Sequence, residues 1–359
     1  MSNRRTQTAA SESEGIYEKY RMGMRIILEG ARAETGQTPK EVIWAKNKAR
    51  LYRYKAATER RFPVPVLLVY ALINRSYVLD LLPGNSLVEY LVGQGFDVYL
   101  LDWGTPGDED QGLTFEHYVL DYLHRAVSKV LKTSRSREFT LLGYCMGGTI
   151  SAMYAALFPG SPLRNLLLLT TPIDFTPANM GLYGVWTSEK YFHPDLLVEA
   201  FGNIPAELVD LGNRLVKPVA NFIGSYLTMW DYLLYDKPME TWLAVGKWVN
   251  DGIPFPGAAF RQWIRDFYQQ NKLVRGEIVL RGRRVDLSQI TCSLFMAAGK
   301  KDHICSVPQS EALMQLAGSQ DKEFLVLDAG HVGLLTSAES RKQLWPRIRS
   351  WLELRSQDH

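Results

Sequence analysis

Leu141-Leu142-Gly143-Tyr144-Cys145-Met146-Gly147-Gly148 is the stretch on which the reading of this chain turns. Its centre, Gly143 to Gly147, has the form G-x-S-x-G with Cys145 in the place of the serine. It closes REFTLLGY, an apolar run of strand length, and is followed by TISAMYAALF, a helical run. A strand that turns sharply into a helix leaves its turn residue in strained backbone geometry. Small residues two positions before and after it let strand and helix approach closely. The Cys145 side chain is thereby pushed out at the carboxyl edge of a sheet. It also meets a helix N-terminus, where the dipole and free N–H groups favour a thiolate and an oxyanion. The competing reading of the pentapeptide alone is a buried structural cysteine in a glycine-rich turn.

The flanks decide between the two. PVPVLLVYALIN (residues 63–74) is continuous apolar sequence, the mark of a strand buried on both faces. NSLVEYLVGQGFDVYLLDWG (85–104) reads as a helix from near Asn85, a break at Gly93 and Gly95, then a strand. A further helix is expected from about Phe115 to Lys132, and LRNLLLLTTPIDF (163–175) is one more buried strand. Strands alternating with helices predict a doubly wound, mostly parallel sheet. After Asp174 the alternation stops. Residues 175–285 are rich in aromatics, Pro and Gly, with no clear buried strand, and read as an inserted, mainly helical cap. The core pattern returns with ITCSLFMAAGKKDHIC (290–305) and EFLVLDAGH (323–331), and ends in an amphipathic helix around Arg341 to Leu354. The expected divisions are therefore 1–60, an N-terminal tail and helical segment; 61–174, the first part of the core; 175–285, the cap; and 286–359, the second part of the core. Within the first division, residues 1–13 read as a solvated tail. Ile16, Tyr20, Met24 and Ile27 form an apolar stripe suited to docking on the cap, on a partner or on the core. Lys40 to Tyr54 reads as the basic, solvated edge of a strand or helix, or as a binding face.

Partners for the cysteine appear in the chain order nucleophile, acid, histidine that characterises α/β-hydrolases. Asp302 follows the strand SLFMAAG in the turn GKKDH, and His331 follows FLVLD in the turn AGH. The long gap between Cys145 and Asp302 is what a cap inserted before the last strands produces. Asp102 also ends a strand but precedes the nucleophile, against that order. His303 adjoins Asp302, so its ring is expected to point away from a site that its neighbour reaches. His117, His124 and His193 suit core or surface roles, and Cys292 and Cys305 lack a glycine-rich elbow. No Cys/His spacing suits zinc. The Met146 N–H is expected to supply half of an oxyanion hole and Ile73, in the loop after the first core strand, the other half; for Ile73 plain core packing is the alternative.

Composition narrows the class further. The 359 residues are 46% hydrophobic and 22% charged, with 41 Lys+Arg against 38 Asp+Glu, which excludes a disordered or collagen-like chain and demands no nucleic acid. Three cysteines at uneven spacing suit a reducing cytoplasm. The polar N-terminus shows no apolar signal segment, and no uncharged apolar run approaches the ~18 residues of a membrane span.

Beyond the elbow, long strings resemble one family. LLVYALINRSYVLDL, GNSLVEYLVGQGFDVYLLDWG, GYCMGG, FRQWIRDFYQQNKL, GRRVDL, KDHI and GHVG are similar to the short catalytic subunit of two-subunit polyhydroxyalkanoate synthases, from about residue 38 to near the C-terminus. The positions that match that family's catalytic residues are Cys145, Asp302 and His331. The resemblance implies an acyltransferase that polymerises (R)-3-hydroxyacyl-CoA, chiefly 3-hydroxybutyryl-CoA, with release of CoA through a Cys-bound thioester. It implies no cofactor besides the CoA of substrate and product. It also implies a separate helper subunit, an oligomer, and a cytoplasmic location at the surface of polyester granules. The spelling GYCMGG resembles the bacillus-type synthases, with a small helper, while the length equally fits the type with a larger one. Fold and triad alone also permit a Cys-dependent acyl-CoA thioesterase, or a non-catalytic coat protein of polyester inclusions.

Overall fold

The computed structural model describes residues 2–59, 62–217, 223–236 and 238–357. Eight strands build the main sheet: β1 (Lys40–Lys46), β2 (Ala49–Tyr54), β3 (Val66–Val69), β4 (Val98–Asp102), β5 (Phe139–Tyr144), β6 (Leu163–Leu169), β7 (Ser293–Gly299) and β8 (Lys322–Leu327). Their spatial order is β1-β2-β4-β3-β5-β6-β7-β8. β2 runs antiparallel to β1 and β4, and every pairing from β4 to β8 is parallel. The central strands are apolar without alternation because helices cover both faces: Val66 to Val69, Leu141, Leu142 and Leu166 to Leu169 are all fully buried. Each such side chain contributes on the order of 1.5–3 kcal/mol of transfer free energy.

The sheet starts earlier than the division at residue 60 placed it. The basic stretch Lys40 to Tyr54 is the antiparallel β1–β2 hairpin, an integral edge of the sheet. Its charges alternate with apolar residues: Ala49, Leu51 and Tyr54 are buried while Arg50 is exposed. Ahead of it, residues 2–29 form one helix, α1 (Ser2–Glu29), where a solvated tail had been expected over residues 1–13.

Helices α2 (Leu87–Gly93), α3 (His124–Ser134) and α4 (Met146–Leu157) link the central strands. Ser86 caps α2 by accepting from the Glu89 N–H. α4 is buried along its whole length, in keeping with a sequence that is apolar or small on every face. The segment 175–285 is mainly helical: α5 (Leu182–Trp186), α6 (Pro194–Phe201), α7 (Ala206–Leu215), α8 (Ser225–Leu234), α9 (Glu240–Asn250) and α10 (Gly257–Gln262), with a small hairpin of Val279–Leu280 and Arg283–Arg284. α1 packs on α8, where Met22 and Ile26 join Met229, Leu233 and Met239 in a minor core separate from the main one. The face that docks differs from the expected stripe. Tyr20 sets its ring 5.1 Å from Trp230, but Ile16, Met24 and Ile27 stay exposed. Among the described residues no helix is long and apolar enough to cross a membrane.

Candidate active site

Three strand ends converge at the carboxyl edge of the sheet. β5 delivers Cys145, which has φ 54° and ψ −130°, a backbone conformation that L-residues rarely adopt. The elbow is possible only because its neighbours are glycines. A Cβ on Gly147 would lie 2.6 Å from the Tyr70 carbonyl carbon, and one on Gly143 would fall 2.8 Å from the Gly148 nitrogen. Cys145 is partly buried, and Met146 after it is the first residue of α4. The Cys145 N–H donates to the Leu169 carbonyl at 3.0 Å, tying the elbow to the end of β6.

β7 delivers Asp302 and β8 delivers His331. The carboxylate Oδ2 of Asp302 lies 2.7 Å from His331 Nδ1, and both residues are buried. The second carboxylate oxygen accepts the N–H groups of Ile304 at 2.8 Å and Cys305 at 2.9 Å. Burial opposes ionisation of Asp302, yet the His331 charge and these donors hold its carboxyl below the usual range. Burial likewise opposes charge on His331, but the neighbouring Asp302 and Cys145 raise its imidazole to about 10. The backbone that carries the ring is tied in as well, since the Tyr144 hydroxyl donates to the His331 main-chain carbonyl at 3.0 Å.

The structure thus brings Cys145, Asp302 and His331 together from three strand ends. Asp102 is engaged elsewhere: its carboxylate accepts from Ser76 at 2.9 Å and from the Gly104 N–H at 2.8 Å. His303 is half-buried, and burial and Lys217 lower its imidazole. His124 stacks on Phe158, His117 faces Thr114, and His193 precedes α6. Cys305 is fully buried, which pushes its thiol well up, and Cys292 stands just before β7, its thiol pushed up to about 12 by burial. Ile73 lies in the loop after β3, where its carbonyl accepts the Ile253 N–H of the cap at 3.2 Å.

Several neighbours went unread in the sequence. Thr170, in the positive-φ region at 45°, donates its hydroxyl to Asp302 Oδ2. From the segment 175–285, Tyr183 and Tyr268 feel the site: burial above all holds both phenols well above their ordinary value, followed by Cys145 and Asp302 for Tyr183 and by Tyr183 and then Cys145 for Tyr268. The two rings lie 5.9 Å apart and join an aromatic cluster with Phe175, Trp263 and Phe267. Only the aromatic richness of residues 175–285 hinted at such a lining.

This fold and site define a class, the α/β-hydrolase fold, and residues 64–338 match that family. Solved structures agree on the fold. The monoglyceride lipase of Saccharomyces cerevisiae superposes with a TM-score of 0.58 at 15% identity, over 92% of this chain and 99% of that one. The DcsB structure in complex with its substrate analogue gives 0.56 at 14%, over 88% and 99%. Residues 31–91 match the poly-beta-hydroxybutyrate polymerase (PhaC) N-terminus. Proteins named poly(3-hydroxyalkanoate) polymerase subunit PhaC are 41% identical in Haloferax mediterranei (91% of this chain, 67% of that protein), 37% in Allochromatium vinosum (94% and 94%) and 36% in Synechocystis sp. (94% and 91%). The chain belongs to the poly(3-hydroxyalkanoate) polymerase family.

Proposed function

We propose that this chain is a polyester synthase that polymerises (R)-3-hydroxyacyl units from their CoA thioesters, 3-hydroxybutyryl-CoA foremost, with Cys145, His331 and Asp302 as its catalytic residues. The observation that carries the reading is the Asp302–His331 contact at 2.7 Å beside a cysteine on a strained elbow, in a chain of this family. His331 takes the Cys145 proton, and the sulfur attacks the acyl carbon. The oxyanion so formed is held by the N–H groups of Met146 and Ile73. The carbon–sulfur bond to CoA breaks, and the CoA thiolate leaves with the proton from His331. Sulfur has replaced sulfur, so the acyl group stays activated. The 3-hydroxyl of the next acyl-CoA gives its proton to His331 and attacks the Cys145 thioester, which forms an ester and regenerates the thiol. The lengthened acyl-CoA is then transferred back to Cys145. The atoms balance with no cofactor beyond CoA itself. Tyr183, Tyr268 and their aromatic neighbours make a site that limits water, which would otherwise hydrolyse the acyl-enzyme.

The chain works in the cytoplasm as part of an oligomer, with a separate helper subunit, at the surface of polyester granules. Relatives named as a subunit support the helper. The cap's exposed Leu182, Val185, Trp186, Tyr191, Leu196 and Phe201 support contact with an apolar partner or surface. The test is incubation with 3-hydroxybutyryl-CoA, with and without a candidate helper. Polymer with stoichiometric CoA is expected. Free 3-hydroxybutyrate with CoA would make the chain a thioesterase, and no CoA release would leave it non-catalytic.

A further inference from the structure

We infer that Thr170 is a positioning residue of the active site, whose hydroxyl locks the Asp302 carboxylate in the orientation that serves His331. The inference rests on the proposed triad.

Thr170 is fully buried at the end of β6. Its Oγ–H donates to Asp302 Oδ2, the same oxygen that faces His331 Nδ1, and its Oγ lies 3.3 Å from that nitrogen. With the Ile304 and Cys305 N–H groups on Oδ1, the carboxylate meets four donors, about as many as its lone pairs accept. A carboxylate so filled stays an acceptor, so the proton remains on His331 and the ring cannot swing.

The backbone makes the same point independently. A β-branched residue at φ 45° is a strained placement that glycine or asparagine would relieve. Two hydrogen bonds hold it there. The Thr170 N–H donates to the Ala297 carbonyl of β7 at 2.7 Å, and the preceding Leu169 carbonyl accepts from the Cys145 N–H at 3.0 Å. Leu169 and Thr170 thus bridge the strand that carries the nucleophile and the strand that carries the acid. Strain kept at such a junction sets geometry. The threonine methyl also restricts χ1 and so aims the hydroxyl.

The titratable groups that face Asp302 are His331, His303, Cys305, Tyr144 and Tyr183. Removing the Thr170 donor weakens stabilisation of the ionised carboxylate, so Asp302 protonates at higher pH and the acid limb of the pair moves up. The experiment compares Thr170→Val, Thr170→Ser and Asp302→Asn by CoA release from 3-hydroxybutyryl-CoA, with kcat, KM, pH profile and melting temperature for each. The acid limb is read again in a His303→Gln background, which removes that group's own titration. Thr170→Val is expected to lower kcat ~10- to 100-fold, the worth of a hydrogen bond to a charged group. KM should stay within twofold, the acid limb should move up, and Thr170→Ser should restore most of the rate. Unchanged kcat and pH profile in Thr170→Val, with Asp302→Asn inactive, would overturn the positioning role while leaving the triad standing. So would a loss that follows melting temperature, with no pH shift and no rescue by serine. An active Asp302→Asn would instead overturn the triad itself, and the role of Thr170 with it.

Discussion

Trp248, on the cap helix α9, donates its indole N–H to the backbone carbonyl of Arg75 at 2.8 Å, in the loop that carries Ile73. Two further bonds reinforce the tie: Ile253 N–H to the Ile73 carbonyl at 3.2 Å and the Tyr77 hydroxyl to Asp251 at 3.0 Å. The indole also meets the Tyr70 ring edge-on at 6.5 Å. The cap therefore holds the loop from which the second oxyanion donor is expected.

Trp248→Phe keeps an aromatic ring in this place but leaves a part-buried carbonyl without its donor. The loss of that bond costs about 1 kcal/mol of stability. Because the loop would shift relative to Cys145, CoA release should fall several-fold, more than the small drop in melting temperature accounts for. Steady-state kinetics beside calorimetry checks this; a rate change that merely tracks melting would place Trp248 outside the catalytic geometry.

Cys145→Ala, His331→Ala and Asp302→Ala should each cost at least ~10³ in rate, because triad members act as a unit. Circular dichroism should show all three folded. Near-normal CoA release from either of the last two would end the assignment.

Cys145→Ser isolates the reason for sulfur at this elbow. A thiolate leaves far more easily than an alkoxide, and the carbonyl of an acyl thioester is more electrophilic than that of a serine ester, so each attack by a hydroxyl is faster. His331 would also have a much harder proton to remove. The variant should fold and bind substrate, yet lose polymer by orders of magnitude while keeping at most a trace of acyl transfer. Polymer mass and CoA release are measured side by side, and robust polymer from the serine enzyme would mean that leaving-group chemistry does not select the cysteine.

Deleting residues 1–34 removes α1 and with it the Lys19–Asp236 ion pair at 2.8 Å and the Met22 and Ile26 contacts with α8. Since this minor core is separate from the main one, amide exchange should rise in residues 225–234 and stay unchanged in β3 and β5. The same variant tests the exposed Ile16, Met24 and Ile27 as a helper contact. Unchanged helper co-purification would remove that role.

The elbow was legible in the sequence because its physics is local. A strand, a turn residue and two glycines within five positions dictate where Cys145 points, and the glycines have no room for a Cβ. Asp302 and His331 were legible for a related reason, since parallel strands connected in this order must end on the same edge of the sheet. The β1–β2 hairpin was harder to read, because at a sheet edge its apolar positions are diluted by Lys and Arg. Periodicity showed that α1 is amphipathic but not which face would meet α8, which depends on the shape and chemistry of a helix some two hundred residues away in the chain. Thr170 and Trp248 carried no signal at all. One is an ordinary threonine after a strand and the other an ordinary tryptophan in an aromatic-rich segment. Their roles depend on which buried donor or acceptor the fold places within about 3 Å, and a hydrogen bond across such sequence separations exists only after the tertiary structure has formed.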